Sequence, residues 1–204
     1  MKHSDRALHT RQAFAAALKK CVSAQPLSKV TVGMLLDETG FNRNTFYYHF
    51  RDIYDLLHWT LDQELFVMIE RLNLLSNYDE AVHLVLDYIS DNAAFFSHIS
   101  DSLGREALRD FCYGDVLHVV TDIIDDTIQL EKVQVPAAYR EFLIRFYSEA
   151  VAGVLLDWIS TQGAGDRAEI IANLSLTLRT AITGAVRASA ISHNGKEEET
   201  LCDC

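Results

Sequence analysis

Proline is almost missing. The 204 residues hold only Pro26 and Pro136, so long stretches can run as unbroken helix, because proline removes a helix hydrogen bond and clashes with the preceding turn. Positive charge is scarce too: 18 Lys/Arg stand against 29 Asp/Glu, a net charge of −11. That sign excludes a chain that coats nucleic acid or an anionic membrane along its whole length. Apolar runs fall well short of the ~20 residues that cross a bilayer. The opening MKHSDRALHT lacks the apolar core of a secretory leader, so the cytoplasm is the expected compartment. Cysteine is limited to Cys21, Cys112, Cys202 and Cys204. Cys21 falls on an apolar helical side and Cys112 among aromatics, so both read as buried thiols. The C-x-C of the acidic tail is not a zinc-finger spacing. His58 and Asp62, and likewise His118 and Asp122, stand four apart without evident further ligands, so no metal site is expected. G-x-S-x-G, H-E-x-x-H, P-loop and G-x-G-x-x-G signatures are all missing, so neither an enzyme nor a cofactor is expected. Asn173-Leu174-Ser175 is a formal glycosylation sequon, but it lies inside a predicted helix and no leader precedes it.

What is present is helical periodicity, and the informative stretch is Thr31 to Phe50, TVGMLLDETGFNRNTFYYHF. Thr31 can cap a first short helix, because its hydroxyl can accept from an amide two or three residues on. Val32, Leu35 and Leu36 give that helix an apolar side. Gly40 sits at its end, where a left-handed backbone suits glycine. Asn42 can cap a second helix running from Arg43 to about His49. Helix, short glycine-containing turn, helix is the helix-turn-helix pattern. Phe46 and Phe50, four apart, anchor the second helix to its own domain. Its other side gathers Asn42, Arg43, Asn44, Thr45, Tyr47, Tyr48 and His49. Arginine and asparagine pair bidentately with guanine and adenine in the major groove, while tyrosine and threonine hydroxyls suit phosphate oxygens. Arg43 and Asn44 are the expected base contacts; Lys29, Thr31, Thr45, Tyr47, Tyr48 and His49 are expected mainly at phosphate. Charge is distributed accordingly. Residues 1–52 carry eight Lys/Arg against four Asp/Glu, a net of +4, and the remainder carries −15. A basic head on an acidic body suits binding nucleic acid through one end.

Thr31, Gly40, Thr45, Tyr47, Phe50 and Leu56 sit at the spacing of the tetracycline-repressor-like (TetR) family of transcriptional regulators, and TFYYHF resembles that family's recognition helix and its exit. The detailed resemblance covers about Arg11 to Leu61. It implies a dimer on a pseudo-palindromic operator, released by a small molecule bound in the body. It also implies that the start of the first helix, at Arg6 or Arg11, touches the DNA backbone. Two positions depart from the pattern: Asn44 stands where the family usually has a small residue, and Ile53 where it usually has a lysine that grips phosphate. Arg51 is the available substitute. The wording NTFYYHFRDIYDLLHW also resembles a branch that includes the activator of dihydroxyacetone kinase genes, where the signal comes from a partner protein. That alternative stays open.

The whole chain therefore reads as all-α, with about nine helices. A three-helix head over residues 1–52 carries the DNA reader, residues 53–190 form a helical bundle for ligand binding and dimerisation, and 191–204 form a polar, disordered tail. The first helix carries an apolar stripe through Phe14, Leu18, Cys21 and Val22 and ends at Gln25-Pro26. After Asp52 a longer helix follows, its apolar side traced by Tyr54, Leu57, Leu61, Leu65, Met68 and Leu72. Another helix starts near Asn77 or Asp79 and runs into Phe95-Phe96. A polar break over Ser97 to Ser102, a short helix ending at Cys112, and a second break at Gly114 are expected next. Two long apolar helices, opened by Pro136 and Asp166, close the body. Their breadth, with Ala150, Ala152, Gly153, Ala181, Gly184 and Ala185, fits a four-helix seam between two chains. Pocket residues are expected among the aromatics and histidines of the middle helices: Tyr88, Phe95, Phe96, His98, Phe111, Tyr113, His118, Tyr147 and Trp158.

Overall fold

A computed structural model describes residues 3–70 and 78–201, and every regular element among them is a helix. In order these are α1 (His3–Ala24), a 3-10 turn (Leu27–Lys29), α2 (Val32–Thr39), α3 (Arg43–His49) and α4 (Ile53–Leu61). A π turn at Asp62–Phe66 carries α4 into the short α5 (Val67–Glu70). Then come α6 (Tyr78–Asp91), α7 (Ala93–Glu131), α8 (Ala137–Ser160) and α9 (Arg167–Leu201). No helix among the described residues is long and apolar enough to cross a membrane.

The boundaries of the head follow from local chemistry. Thr31 Oγ1 accepts from the Met34 amide at 3.3 Å, Asn42 Oδ1 from the Thr45 amide at 2.9 Å, and Asp52 Oδ1 from the Asp55 amide at 2.8 Å. Each oxygen satisfies a first-turn amide that would otherwise lack a partner. Gly40 ends α2 at φ 71°, ψ 7°, and its N–H reaches Leu36 O at 2.8 Å. The tight turn therefore rests on a residue without a Cβ.

Packing then fixes how the helices meet. Phe14 of α1 is fully buried among Phe41, Phe46 and Phe50, with ring centroids 5.4, 5.3 and 6.3 Å away. Burying a phenyl ring stabilises by roughly 1.5–3 kcal/mol, so this aromatic knot sets the angle of α3. The apolar core does not stop at residue 52. It continues through Leu56, Leu57 and Leu61 of α4 into Leu86 of α6 and Phe95, Phe96 and Ile99 of α7. A second cluster joins α7, α8 and α9 through Val120, Ile124, Leu143, Tyr147, Leu178 and Ile182.

The structure differs from the sequence reading in several places. Residues 97–102 are helical, and the Ser102 hydroxyl donates back to His98 O at 2.7 Å within that helix. The break in α7 falls at Gly104, with φ 73° and ψ 166°, while Gly114 lies inside continuous helix. Asn92 separates α6 from α7 just ahead of Phe95. Tyr54 is exposed, whereas Leu57, Leu61 and Leu65 on the same helical run are buried. The backbone of α9 runs through Leu201. Leu72 lies outside the described residues.

Candidate DNA interface and body cavity

α3 presents two unlike faces. Phe46 and Phe50 point into the head, while Arg43, Asn44, Tyr47 and Tyr48 are exposed. Tyr48 is 76% exposed, which for a tyrosine anchored between buried phenylalanines leaves the whole phenol free to meet a partner. Lys29 and Thr31 are also exposed and lie just ahead of α2. Thr31 Oγ1 accepts from Met34, so its proton is left to donate outward. Thr45 is different: its hydroxyl donates to Asn42 Oδ1 at 3.1 Å, the oxygen that also takes the Thr45 amide. These groups of Asn42 and Thr45 are thus engaged in holding the helix start.

His49 is half-buried, its ring edge-on to Tyr48 at 5.0 Å. Burial, and then the nearby charge of Arg11, hold its pKa below the ordinary imidazole value, so it is a neutral donor at neutral pH. Arg11 stacks between elements: its guanidinium carbon lies 4.6 Å from the Trp59 ring centroid and 5.2 Å from that of Phe50. It ties α1 to the exit of α3 and the start of α4 through cation–π contact. Arg6 is exposed. Arg51 is exposed and reaches Asp55 only at 3.4 Å, while Ile53 is half-buried. Tyr54 adds an exposed phenol in the first turn of α4, three residues after Arg51. The face as a whole offers a guanidinium, a carboxamide, phenols and a hydroxyl, the groups that meet base edges and phosphates.

The head is tied to the body at its back. Glu64, in the π turn, takes Lys19 Nζ of α1 at 2.5 Å and the Tyr88 hydroxyl of α6 at 2.8 Å on the same oxygen. A ring nitrogen of His98 meets Val22 O at 2.7 Å, near the C-terminal end of α1, and the Ser28 amide donates to Ser102 Oγ at 3.1 Å.

Behind α4 lies a cavity of about 120 Å³, walled by Leu61, Leu65, Val85, Phe96, Val120 and Leu178 among others, with no polar atom of the described residues facing it. Protein interiors rarely hold voids larger than a water molecule. Of the aromatics and histidines expected to form a pocket, Phe96 lies on this wall. The others are placed elsewhere. Tyr88 and His98 are engaged at the head–body joint. Phe95 is fully buried against Phe96, and Phe111 packs on His58. Tyr113 lies under Arg109, and His118 stands 3.8 Å from Asp122. Tyr147 belongs to the α7–α9 core, and Trp158 packs against Gly163.

On the opposite side of α8, Tyr139, Phe142 and Phe146 form a stacked ladder with centroids 6.1 and 5.8 Å apart. Phe142 and Phe146 are each 56% exposed, and Leu176 on α9 is exposed as well. Thr180 and Gly184 continue the Leu176 face at four-residue spacing, both exposed.

A family model described as a transcriptional regulator C-terminal region matches residues 76–180. No curated protein sequence matches the chain. Among solved structures, "Dihydroxyacetone kinase operon activator DhaS" superposes with a TM-score of 0.63 at 16% identity, covering 89% of this chain and 98% of that one. Identity so low speaks for the shared fold alone. The family match takes in more than half of the residues and falls on the body, while the helix-turn-helix geometry stands in the head. The chain belongs to the tetracycline-repressor-like (TetR) family of transcriptional regulators.

Proposed function

We propose that the chain is a homodimeric, sequence-specific repressor that leaves a pseudo-palindromic operator when a small molecule fills the body cavity. Arg43 and Asn44 read base edges. Lys29, Thr31, Tyr47, Tyr48 and His49 hold phosphates, and the spare valences of Asn42 and Thr45 add to them. The setting is the cytoplasm, with DNA at hand. One observation carries the switch: a single helix serves both ends. α4 is locked into the head by Leu56 and Leu57 and walls the cavity with Leu61, continuing through the π turn to Leu65. Recognition helices of a dimer must sit about 34–36 Å apart to enter successive major grooves. A ligand that favours another setting of α4 therefore lowers affinity by its differential binding to the two states.

The exposed ladder on α8 and the Leu176 face of α9 support the dimer, as they offer an apolar surface that a second copy would cover. The same ladder supports a second reading, control by a partner protein, possible for an activator as well as a repressor. Selecting bound fragments from random DNA with the purified protein tests the first claim: a two-fold symmetric site is the expected product, and no enriched site would sink it. Adding small molecules to that complex tests the second. Release without any other protein supports the ligand switch; release that requires a second protein moves the assignment to the partner reading.

A further inference from the structure

We infer that the effector is an uncharged, apolar molecule of single-ring size, such as a small aromatic or alicyclic hydrocarbon. This rests on the reading of the cavity as the effector site. Three observations converge. The first is chemistry: no donor or acceptor among the described residues faces the void. Arg109 is the charged residue on its wall, and its nitrogens are engaged elsewhere. Nε and Nη2 go to Glu149, Nη1 goes to Asp110 at 2.8 Å, and the guanidinium carbon lies 5.1 Å over the Tyr113 ring. Only its carbon stem is left for the cavity. A carboxylate or ammonium placed there would lose its water and gain no partner. The Cys112 thiol on the same wall, pushed up to about 12 by burial, stays protonated and offers no charge either.

The second is size. The volume is about 120 Å³, against roughly 150 Å³ for an apolar core cavity that stays dry and takes benzene. One ring matches that volume. The third is placement. Leu61 immediately precedes the π turn at Asp62–Phe66 and Leu65 lies within it, so the wall facing the void includes the stretch of the α4–α5 run with altered helical winding. Such turns recur at functional sites because they can shift register locally. A ring pressed against Leu61 and Leu65 thus meets the segment most able to respond.

The test uses full-length protein with toluene, cyclohexane, benzoate and cyclohexane carboxylate as probes. Toluene or cyclohexane near saturation is expected to raise the melting temperature by about 5 °C, and the carboxylates at equal concentration to leave it unchanged. Ala152→Leu fills the void and is expected to abolish the toluene shift; Val120→Leu is the second variant should the first not fold. Carboxylates binding as tightly as the hydrocarbons would overturn the inference, as would no hydrocarbon shift at all, or a shift that survives in both filled variants. Operator binding is read separately. Hydrocarbon binding that leaves DNA affinity unchanged would uphold the ligand class and sink the switch.

Discussion

Arg43 stands exposed at the first position of α3, where a major-groove reader meets base edges. Replacing it with alanine is expected to weaken the preferred site by about 1–3 kcal/mol and to flatten base preference at the contacted position, as read by competition binding across a site library. Unchanged preference would mean that α3 sits differently on DNA. His49 makes a second prediction through protons. The unfolded imidazole takes its proton near pH 6.5. The folded one, held lower by burial and by Arg11, takes it at more acid pH. Between those values the unfolded chain binds more protons, so stability increases with pH across that window and is lost as pH falls below about 6.5. His49→Gln is expected to reduce this slope in denaturant midpoints measured from about pH 5 to 7.

The elements show which features are written locally and which are not. The caps Thr31 and Asn42, the turn at Gly40 and the Phe46–Phe50 anchor each act within three or four residues, so sequence spacing alone exposes them. The cavity has no such trace. Its walls are ordinary Leu, Val and Ile from helices far apart in the chain, while the aromatics and histidines that look suited to a ligand have found partners such as Glu64 and Val22 O. The kink in α7 is likewise ambiguous in sequence, since Gly104 and Gly114 are the same residue and either could break a helix. Structure separates them. At φ 73°, ψ 166° Gly104 occupies a region nearly closed to other residues, and Gly104→Ala is expected to cost about 1–3 kcal/mol in urea unfolding. Gly114→Ala, in regular helix with open space around its Cβ, is expected to gain about 0.5–1 kcal/mol.

At the scale of the whole molecule, the stacked Tyr139–Phe142–Phe146 ladder bears on assembly. Phe146→Glu would place a charge in the centre of a seam made with a second copy. It is expected to give monomers in sedimentation and to lower operator affinity about tenfold or more, since each head would then bind alone. A dimer that persists would place the interface elsewhere. The ion pairs of the head have a consequence for how such a molecule behaves in salt. Lys19, Lys20 and Arg51 already have carboxylates of their own chain, Glu64, Glu38 and Asp55, and Arg11 is spread over two rings. Among the described basic residues of the head, that leaves Arg6, Lys29 and Arg43 with neither a carboxylate nor an aromatic partner. Each DNA phosphate neutralised releases a condensed cation, and log affinity falls against log salt by about 0.9 per phosphate. A dimer offering roughly six such charges should therefore lose affinity with a slope near −5, much shallower than its total of head lysines and arginines suggests.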